Sequence, residues 1–282
     1  MSAAPLEPWP YPLWIAHRGG GLLAPENTLA AFRFGAACGF RAYECDAKLS
    51  ADGVPFLLHD DTLERTTSGR GVAGDRPWSA LSQLDAGGWH SRRYAGEPPP
   101  TLAAVAAFVR ANGHLLNIEI KPTTGTELET GRAVAAAAAA LWADASVPPL
   151  ISSFQPMALL GARETAPSLP RALLLDTLWP DCLSVAVSLG CVAVVANHLL
   201  MDEALIATLR ELGLRALCYT VDDPADVARL RALGIDGLIT DAVDRHAPAD
   251  EVLISPAPGS SAEAPPPPPR VRPRRRRAPA KP

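Results

Sequence analysis

Short apolar runs alternate with stretches of helical spacing along most of the chain. Runs at 13–16, 41–49, 115–120, 150–152, 171–175, 192–196, 214–220 and 237–239 read as strands. Residues 54–58 read as the return arm of a hairpin that turns at Asp52-Gly53. Apolar residues recur at helical spacing over 29–39, 101–111, 128–143, 157–164, 180–189, 202–212 and 224–233, and Gly39, Gly213 and Gly234 stop three of these. Strands that are almost wholly apolar and separated by helices imply a parallel sheet covered by those helices. Eight such units over 13–250 predict a closed (β/α)₈ barrel of the TIM type, in the α/β class. An open doubly wound sheet is the competing architecture, and it usually turns on G-x-G-x-x-G after its first strand. Here that turn reads His17-Arg18-Gly19-Gly20-Gly21, which is glycine-rich but differently spaced.

Three segments fall outside this alternation. Residues 60–100 hold ten glycines and prolines between Gly69 and Pro100 and show no clear helix. So long a stretch predicts an insertion after the second strand, lying over the C-terminal face where barrel active sites sit. Residues 255–282 carry Pro265 to Pro269 and then Arg274 to Arg277, a composition that cannot bury enough apolar surface to fold alone. They predict a disordered tail whose charge suits contact with anionic surfaces. Residues 1–12 form an N-terminal extension without a basic residue or an apolar core, unlike a secretory leader, so a cytoplasmic location is expected.

Composition narrows the partners. Of 282 residues, 48% are apolar and 20% charged, and no apolar run is long enough to span a bilayer. Cys38, Cys45, Cys182, Cys191 and Cys218 are odd in number, scattered and without C-x-x-C spacing, which argues against disulfides or a zinc site. They read as buried small side chains, with Cys45 turned away from the acids on either side of it. The net charge of −4 conceals a tail at +6 and a body, residues 1–254, at −10. Such a body is a poor nucleic-acid binder. A phosphate ester remains possible if a divalent cation supplies positive charge locally.

The chemistry-bearing residues interrupt the strands. His17 and Arg18 follow the first run, Glu44 and Asp46 stand two apart on the second, and Asn117, Glu119 and Lys121 repeat that spacing on the next. Residues two apart share a strand face, about 6.6 Å from one another. His59 ends the hairpin arm. Parallel barrel strands are buried on both faces, so these charges must be paired or must hold a metal. An internal salt-bridge network with Arg18 and Lys121 is the bland alternative for any one carboxylate. Three carboxylates converging at strand ends would repel one another, and all-oxygen ligation suits Mg²⁺, Ca²⁺ or Mn²⁺. His17 and His59 beside them suggest a general acid and a general base. The remaining histidines, His90, His114, His198 and His246, read as structural.

The ordered motifs resemble the glycerophosphodiester phosphodiesterase family. They are His17-Arg18-Gly19, Pro25-Glu26-Asn27-Thr28, Glu44-Cys45-Asp46, Asp52-Gly53, His59-Asp60, Leu63, Arg65-Thr66-Thr67, Pro100-Thr101-Leu102, Asn117 to Lys121, Ser152-Ser153-Phe154 and Gly234 to Asp241. The match spans about residues 13–245. The resemblance implies that Glu44, Asp46 and Glu119 hold one divalent cation, Mg²⁺ or Ca²⁺ with Mn²⁺ as a third option. It implies that His17 and His59 are the acid/base pair, and that Arg18 and Lys121 bind the phosphate of a small glycerophosphodiester. Glu26 would support the site by orienting Arg18 or His17; its alternative is a carboxylate at a helix N-terminus. Asn27 would support the site or, with Thr28, cap that helix. The chain departs from the family where Tyr219-Thr220-Val221-Asp222 replaces a usual Trp-Thr-Val-Asn, which bears on the alcohol Tyr219 would meet. One rival is a related barrel lyase or phospholipase, which a large apolar rim would favour. A second is a phosphate-binding barrel without activity, which the complete residue set disfavours.

Overall fold

The computed structural model describes residues 8–246 and residue 248. It contains β1 (Trp14–Ala16), β2 (Ala42–Leu49), β3 (Pro55–Leu57), β4 (Leu115–Ile120), β5 (Leu150–Ser153), β6 (Arg171–Leu175), β7 (Ala193–Asn197), β8 (Arg215–Tyr219) and β9 (Gly237–Thr240). All except β3 pair in parallel, and β1 joins both β2 and β9, so the eight close into a TIM barrel as expected. β3 returns antiparallel on β2 as the predicted hairpin, pairing Ala47 with Leu57 and Leu49 with Pro55. Around the ring lie α1 (Leu29–Ala37), α3 (Leu102–Ala111), α4 (Glu127–Leu141), α5 (Pro156–Thr165), α6 (Cys182–Ser188), α7 (Glu203–Glu211) and α8 (Pro224–Ala232); the short α2 (Trp78–Leu81) sits in the insertion.

Alternation along each strand sorts side chains between two apolar layers. On β2, Tyr43, Cys45 and Ala47 face outward into the core shared with the helices, which leaves Ala42, Glu44, Asp46 and Lys48 on the barrel side. On β4, Leu116, Ile118 and Ile120 likewise face the helices, and Asn117 and Glu119 do not. The barrel interior is apolar toward the strand starts, where Ala42, Leu150, Ala172, Ala193 and Leu217 pack with Tyr11. Inside the barrel, Glu44, Asp46 and Glu119 thereby fall beyond this apolar layer, toward the strand ends.

Two helix starts lie one residue later than periodicity suggests, because Thr101 and Asp202 are caps whose side chains accept from Ala104 N and Leu205 N. The alanine-rich α4 lies very close to α5. A Cβ on Gly131 would come within 2.1 Å of Ala158 O, and one on Gly161 within 2.3 Å of Leu128 O, so both contacts require glycine. The insertion is more ordered than expected. It holds α2 and single 3₁₀ turns at Ala73–Asp75 and Arg92–Tyr94, anchored by a core of Phe56, Leu58, Leu63, Ala73 and Leu81. The five cysteines are unpaired. His114 bonds Tyr43 Oη at 2.9 Å and His246 stacks on Trp14 at 4.4 Å, and both partners belong to the apolar layer between barrel and helices. No helix among the described residues is long and apolar enough to cross a membrane. The expected tail, 255–282, lies outside the described residues.

Candidate active site

The first βα turn sets the site's geometry. Arg18 adopts φ 50° and ψ 30°, a left-handed conformation that costs a non-glycine residue about 1–3 kcal/mol and is usually found where function over-determines the backbone. The turn is pressed onto the end of β9: Leu22 N donates to Asp241 O at 3.2 Å, and a Cβ on Gly21 would sit 2.0 Å from that oxygen. The contact places Asp241 beside His17, whose Nδ1 lies 2.8 Å from Asp241 Oδ1. Arg18 N donates to Glu44 Oε2 at 3.0 Å. Its guanidinium donates to Glu26 Oε1 at 2.9 Å and approaches Asp46 Oδ2 at 3.4 Å.

β2 and β4 bring the carboxylates together, because their register sets Glu44 beside Asn117 and Asp46 beside Glu119. One oxygen from each of Glu44, Asp46 and Glu119 lies within 4.8 Å of the others, and all three residues are buried. Burial and the nearby Asp46 charge push Glu44 up to about 8. The same two causes push Glu119 up to about 7, against the pull of Lys121. Burial acts the same way on Asp46, but Arg18, Lys121, His59 and the Asn27 bond outweigh it and hold Asp46 below its ordinary value. Glu44 Oε1 is buried with no hydrogen-bond donor in reach. A cluster that is short of positive charge and leaves a buried carboxylate oxygen unpartnered fits a hard divalent cation.

His17, Arg18, Glu44, His59, Glu119 and Lys121 line one cleft of about 340 Å³, together with Asn117, Phe154, Leu174, Asp176 and Tyr219. Lys121 Nζ lies 2.8 Å from Glu119 and 5.3 Å from the centre of the Phe154 ring. Tyr219 packs edge-on against Phe154 at 5.7 Å, and its hydroxyl donates toward Leu175 O and Asp176 Oδ1 at 3.3 Å each. Glu26 and Asn27 stand behind this wall. Thr28 alone caps α1; Asn27 instead, at φ 58°, donates to Asp46 Oδ2 at 2.7 Å and accepts from Asp46 N at 3.0 Å. Glu26 binds Arg18 and also Arg65, at 2.7 and 2.8 Å.

Three supporting residues escaped the sequence reading as participants. Asp241 backs His17, and Asp60 backs His59 through an Nδ1 contact of 2.7 Å. Arg65 grips Asp60 at 2.6 and 2.8 Å while it holds Glu26, so a continuous chain of ion pairs runs from Arg18 to His59. Asp60, Arg65 and Asp241 all stood within motifs, but loop positions have no periodicity to reveal what they touch. Lys48 also went unremarked. It is buried on the Glu44 face of β2 and pairs with Asp61 at 2.8 Å, away from the cleft lining.

The two histidines sit in opposite fields. Burial lowers both, but the Asp241 bond and the charges of Glu44 and Asp241 leave His17 above its ordinary value. His59 stays below, because Asp46 only partly offsets burial and the nearby Arg18 and Lys121. In each, a carboxylate at Nδ1 fixes a donor there and leaves Nε2 free for exchange with a ligand.

Residues 17–245 match the model of the glycerophosphoryl diester phosphodiesterase family. The chain is 32% identical over 229 residues to the glycerophosphodiester phosphodiesterase of Caldanaerobacter subterraneus subsp. tengcongensis, covering 81% of this chain and 93% of that protein. Among solved structures it resembles a phosphodiesterase from Oleispira antarctica bound to the product sn-glycerol-3-phosphate, with a TM-score of 0.77 and 32% identity, covering 83% and 95% of the two chains. It also resembles a glycerophosphodiester phosphodiesterase from Agrobacterium tumefaciens, with a TM-score of 0.69 and 28% identity over 83% and 97% of the two chains.

Proposed function

The chain belongs to the glycerophosphoryl diester phosphodiesterase family, and from that premise we propose that it hydrolyses small glycerophosphodiesters to glycerol 3-phosphate and an alcohol, using one divalent cation and two histidines. The observation that carries the finer reading is the buried triad of Glu44, Asp46 and Glu119, of which Glu44 and Glu119 line one cleft with two histidines that each lean on a carboxylate. Glu44, Asp46 and Glu119 would hold the cation, Mg²⁺ or Ca²⁺ by their all-oxygen chemistry. When bound, it would supply Lewis-acid stabilisation of the charge that builds on the phosphate oxygens.

The chain's own residues account for the remaining steps. Arg18 and Lys121 bind phosphate oxygens and orient the phosphorus toward the histidines. Glu26 holds the Arg18 guanidinium in place, and Asn27 does the same for the Asp46 carboxylate. One histidine takes the proton of the attacking hydroxyl at Nε2 and the other returns a proton to the departing alcohol. A positioned acid or base contributes about 10²–10⁴-fold. Asp241 and Asp60 keep both Nδ1 atoms as donors throughout. Tyr219 and Phe154 border the space for the alcohol. A cytoplasmic setting belongs to the same proposal, supported by the unpaired state of all five cysteines.

The test is release of glycerol 3-phosphate from glycerophosphocholine and glycerophosphoethanolamine after EDTA treatment, then with Mg²⁺, Ca²⁺ or Mn²⁺ restored. Cation-dependent release is expected. Folded protein that releases nothing with any cation would overturn the reading, and undiminished release in EDTA would overturn the metal role alone.

A further inference from the structure

We propose that Lys48 is a positioning residue for His59, which it steers through Asp61 without touching substrate or cation. The inference rests on the hydrolytic reading above and adds one residue to it.

Lys48 is a buried charge that the mechanism leaves over. It is 0% exposed, yet it neither lines the cleft nor belongs to the carboxylate triad. It stands two residues beyond Asp46 on β2, just past Ala47, the last residue that β2 pairs with β4. From there β2 continues in the hairpin, where Lys48 pairs with Phe56. Phe56 belongs to the apolar core of the insertion, and its ring lies 5.8 Å from that of Trp78. The lysine therefore sits where barrel and insertion join. Its Nζ donates to Asp61 Oδ1 at 2.8 Å, its one carboxylate partner among the described residues.

A buried lysine is a costly way to fill that place. Its ammonium gives up its water, and the Asp61 side chain, 48% exposed, returns only a screened attraction. An apolar side chain of similar length fills such a site at no loss of stability and often at a gain. Stability does not account for the charge, but the position of its partner does. Asp61 follows His59 by two residues. Before the histidine, Leu58 N donates to Asp46 O at 3.0 Å and ties the segment to β2. After it, Asp61 O accepts from Ala73 N at 2.9 Å, which ties the segment to the insertion. The Lys48 bond returns that same residue to β2. Thr124, three residues beyond Lys121, adds a longer contact to Asp61 Oδ2 at 3.4 Å.

A second grip pulls the other way. Arg65 holds Asp60, the carboxylate on His59 Nδ1, and links it to Glu26 beside the first βα turn. Two consecutive carboxylates are thus held by two cations from different elements, Asp60 by Arg65 and Asp61 by Lys48. With both in place the His59-Asp60 peptide is braced from either side. Without Lys48 the remaining pull is toward Glu26, and His59 Nε2 moves with the segment. A displacement of about 1 Å at a reacting group can cost about 10²-fold in rate.

The experiment measures kcat and KM for glycerol 3-phosphate release from glycerophosphocholine, with the full chain and the activating cation. The variants are Lys48→Met, Asp61→Ala and the two combined, with Lys48→Met also placed in the His59→Ala background. Both single variants and the combined one should lower kcat by a similar factor, about 10- to 100-fold, with KM within about twofold of the parent. In the His59→Ala background Lys48→Met should lower kcat no further, because it acts through the missing ring. Lys48→Met should melt no lower than the parent. Parent-like kcat in Lys48→Met, or in Asp61→Ala should Lys48→Met not fold, would overturn the proposal. So would a loss that persists at full size in the His59→Ala background, since Lys48 would then act on the triad or the phosphate. Losses that follow the fraction of unfolded protein in every variant would overturn it as well, leaving Lys48 a structural residue. A parent that releases nothing with any cation would instead reject the underlying phosphodiesterase reading.

Discussion

The two ends of the barrel treat buried charge in opposite ways. At the strand starts the charged side chains are answered. Arg171 donates to the carbonyls of Pro167, Leu169, Leu189 and Gly190, and Asp236 accepts from Arg215 and from Ala216 N. Trp9 and Tyr11 plug that end, with Tyr11 Oη donating to Pro148 O at 2.9 Å. The indole N–H of Trp9 has no hydrogen-bond partner there. At the strand ends three carboxylates crowd within 4.8 Å, Glu44 keeps an unpartnered oxygen, and Arg18 holds a left-handed backbone. Satisfied polar groups stabilise a fold, whereas unsatisfied ones destabilise it until a ligand arrives. The comparison therefore separates stability from function along the barrel axis, and substitutions at the two ends should move different observables.

The largest effect is expected at the strand ends. His17→Ala and His59→Ala should each lower kcat by about 10²–10⁴-fold. Thermal unfolding should stay close to that of the parent, because neither ring belongs to the apolar layers. Retention of more than a tenth of the activity would remove that histidine from the chemistry. A collapse of the fold would break the separation itself.

The converse experiment is at the strand starts. Arg171→Met leaves four carbonyls without their shared donor and should cost roughly 2–4 kcal/mol of unfolding free energy. Activity of the protein that remains folded should be unchanged. Denaturant unfolding and kinetics on the same sample decide it, and a lowered kcat at intact fold would show the ends to be coupled.

How much of the molecule was legible in sequence follows the same axis. Barrel topology was, because eight apolar strands and their helices repeat with the right periods. So were Glu44, Asp46 and Glu119, since charged residues two apart on a buried strand must meet a counter-charge inside the barrel. Asp60, Arg65 and Asp241 were not read as partners. Their roles depend on how loops from β1, β3 and β9 fold over one another, and no local spacing encodes that. Asn27 reads in sequence as a supporting residue with a helix cap as its alternative; only the fold, through its positive φ, shows that it turns to Asp46 and leaves the cap to Thr28. The short helices of the insertion were hidden for a related reason. Glycines and prolines mark where segments break, and a four-residue helix such as α2 lacks the length for a periodic signal.

Glu44→Gln tests the sign of the comparison. Without cation, the folded protein holds the Glu44 proton up to about pH 8, against an ordinary value of 4.5. A carboxyl raised in this way favours folding when protonated, and that contribution is lost as pH climbs from 4.5 to about 8. The amide has no charge to bury. In EDTA at pH 8.5 the variant should be more stable than the parent by on the order of 2 kcal/mol, with the difference vanishing near pH 5. Added Mg²⁺ or Ca²⁺ should stabilise the parent and much less the variant. Thermal melts in the four combinations of pH and cation provide the measurement. A variant less stable than the parent in EDTA at high pH would mean that the carboxylate triad is a satisfied structural network.

The smallest effect sharpens the boundary. Tyr11 is buried at the strand starts, and burial pushes its phenol well above the ordinary tyrosine value, so it remains a neutral donor at any working pH. Tyr11→Phe keeps the ring that packs 4.8 Å from Trp9 and removes one hydrogen bond to Pro148 O. The expected cost is about 1 kcal/mol in unfolding free energy. kcat and KM should be indistinguishable from the parent, because the length of β1 separates Tyr11 from His17 and Tyr11 lies among the apolar side chains of the barrel interior. Equilibrium unfolding resolves a change of that size, and steady-state kinetics resolves a twofold change in rate. A stability loss without a rate change places the boundary between plug and site within the length of one short strand. A rate change of more than twofold would show that the plug at one end helps to set the geometry at the other.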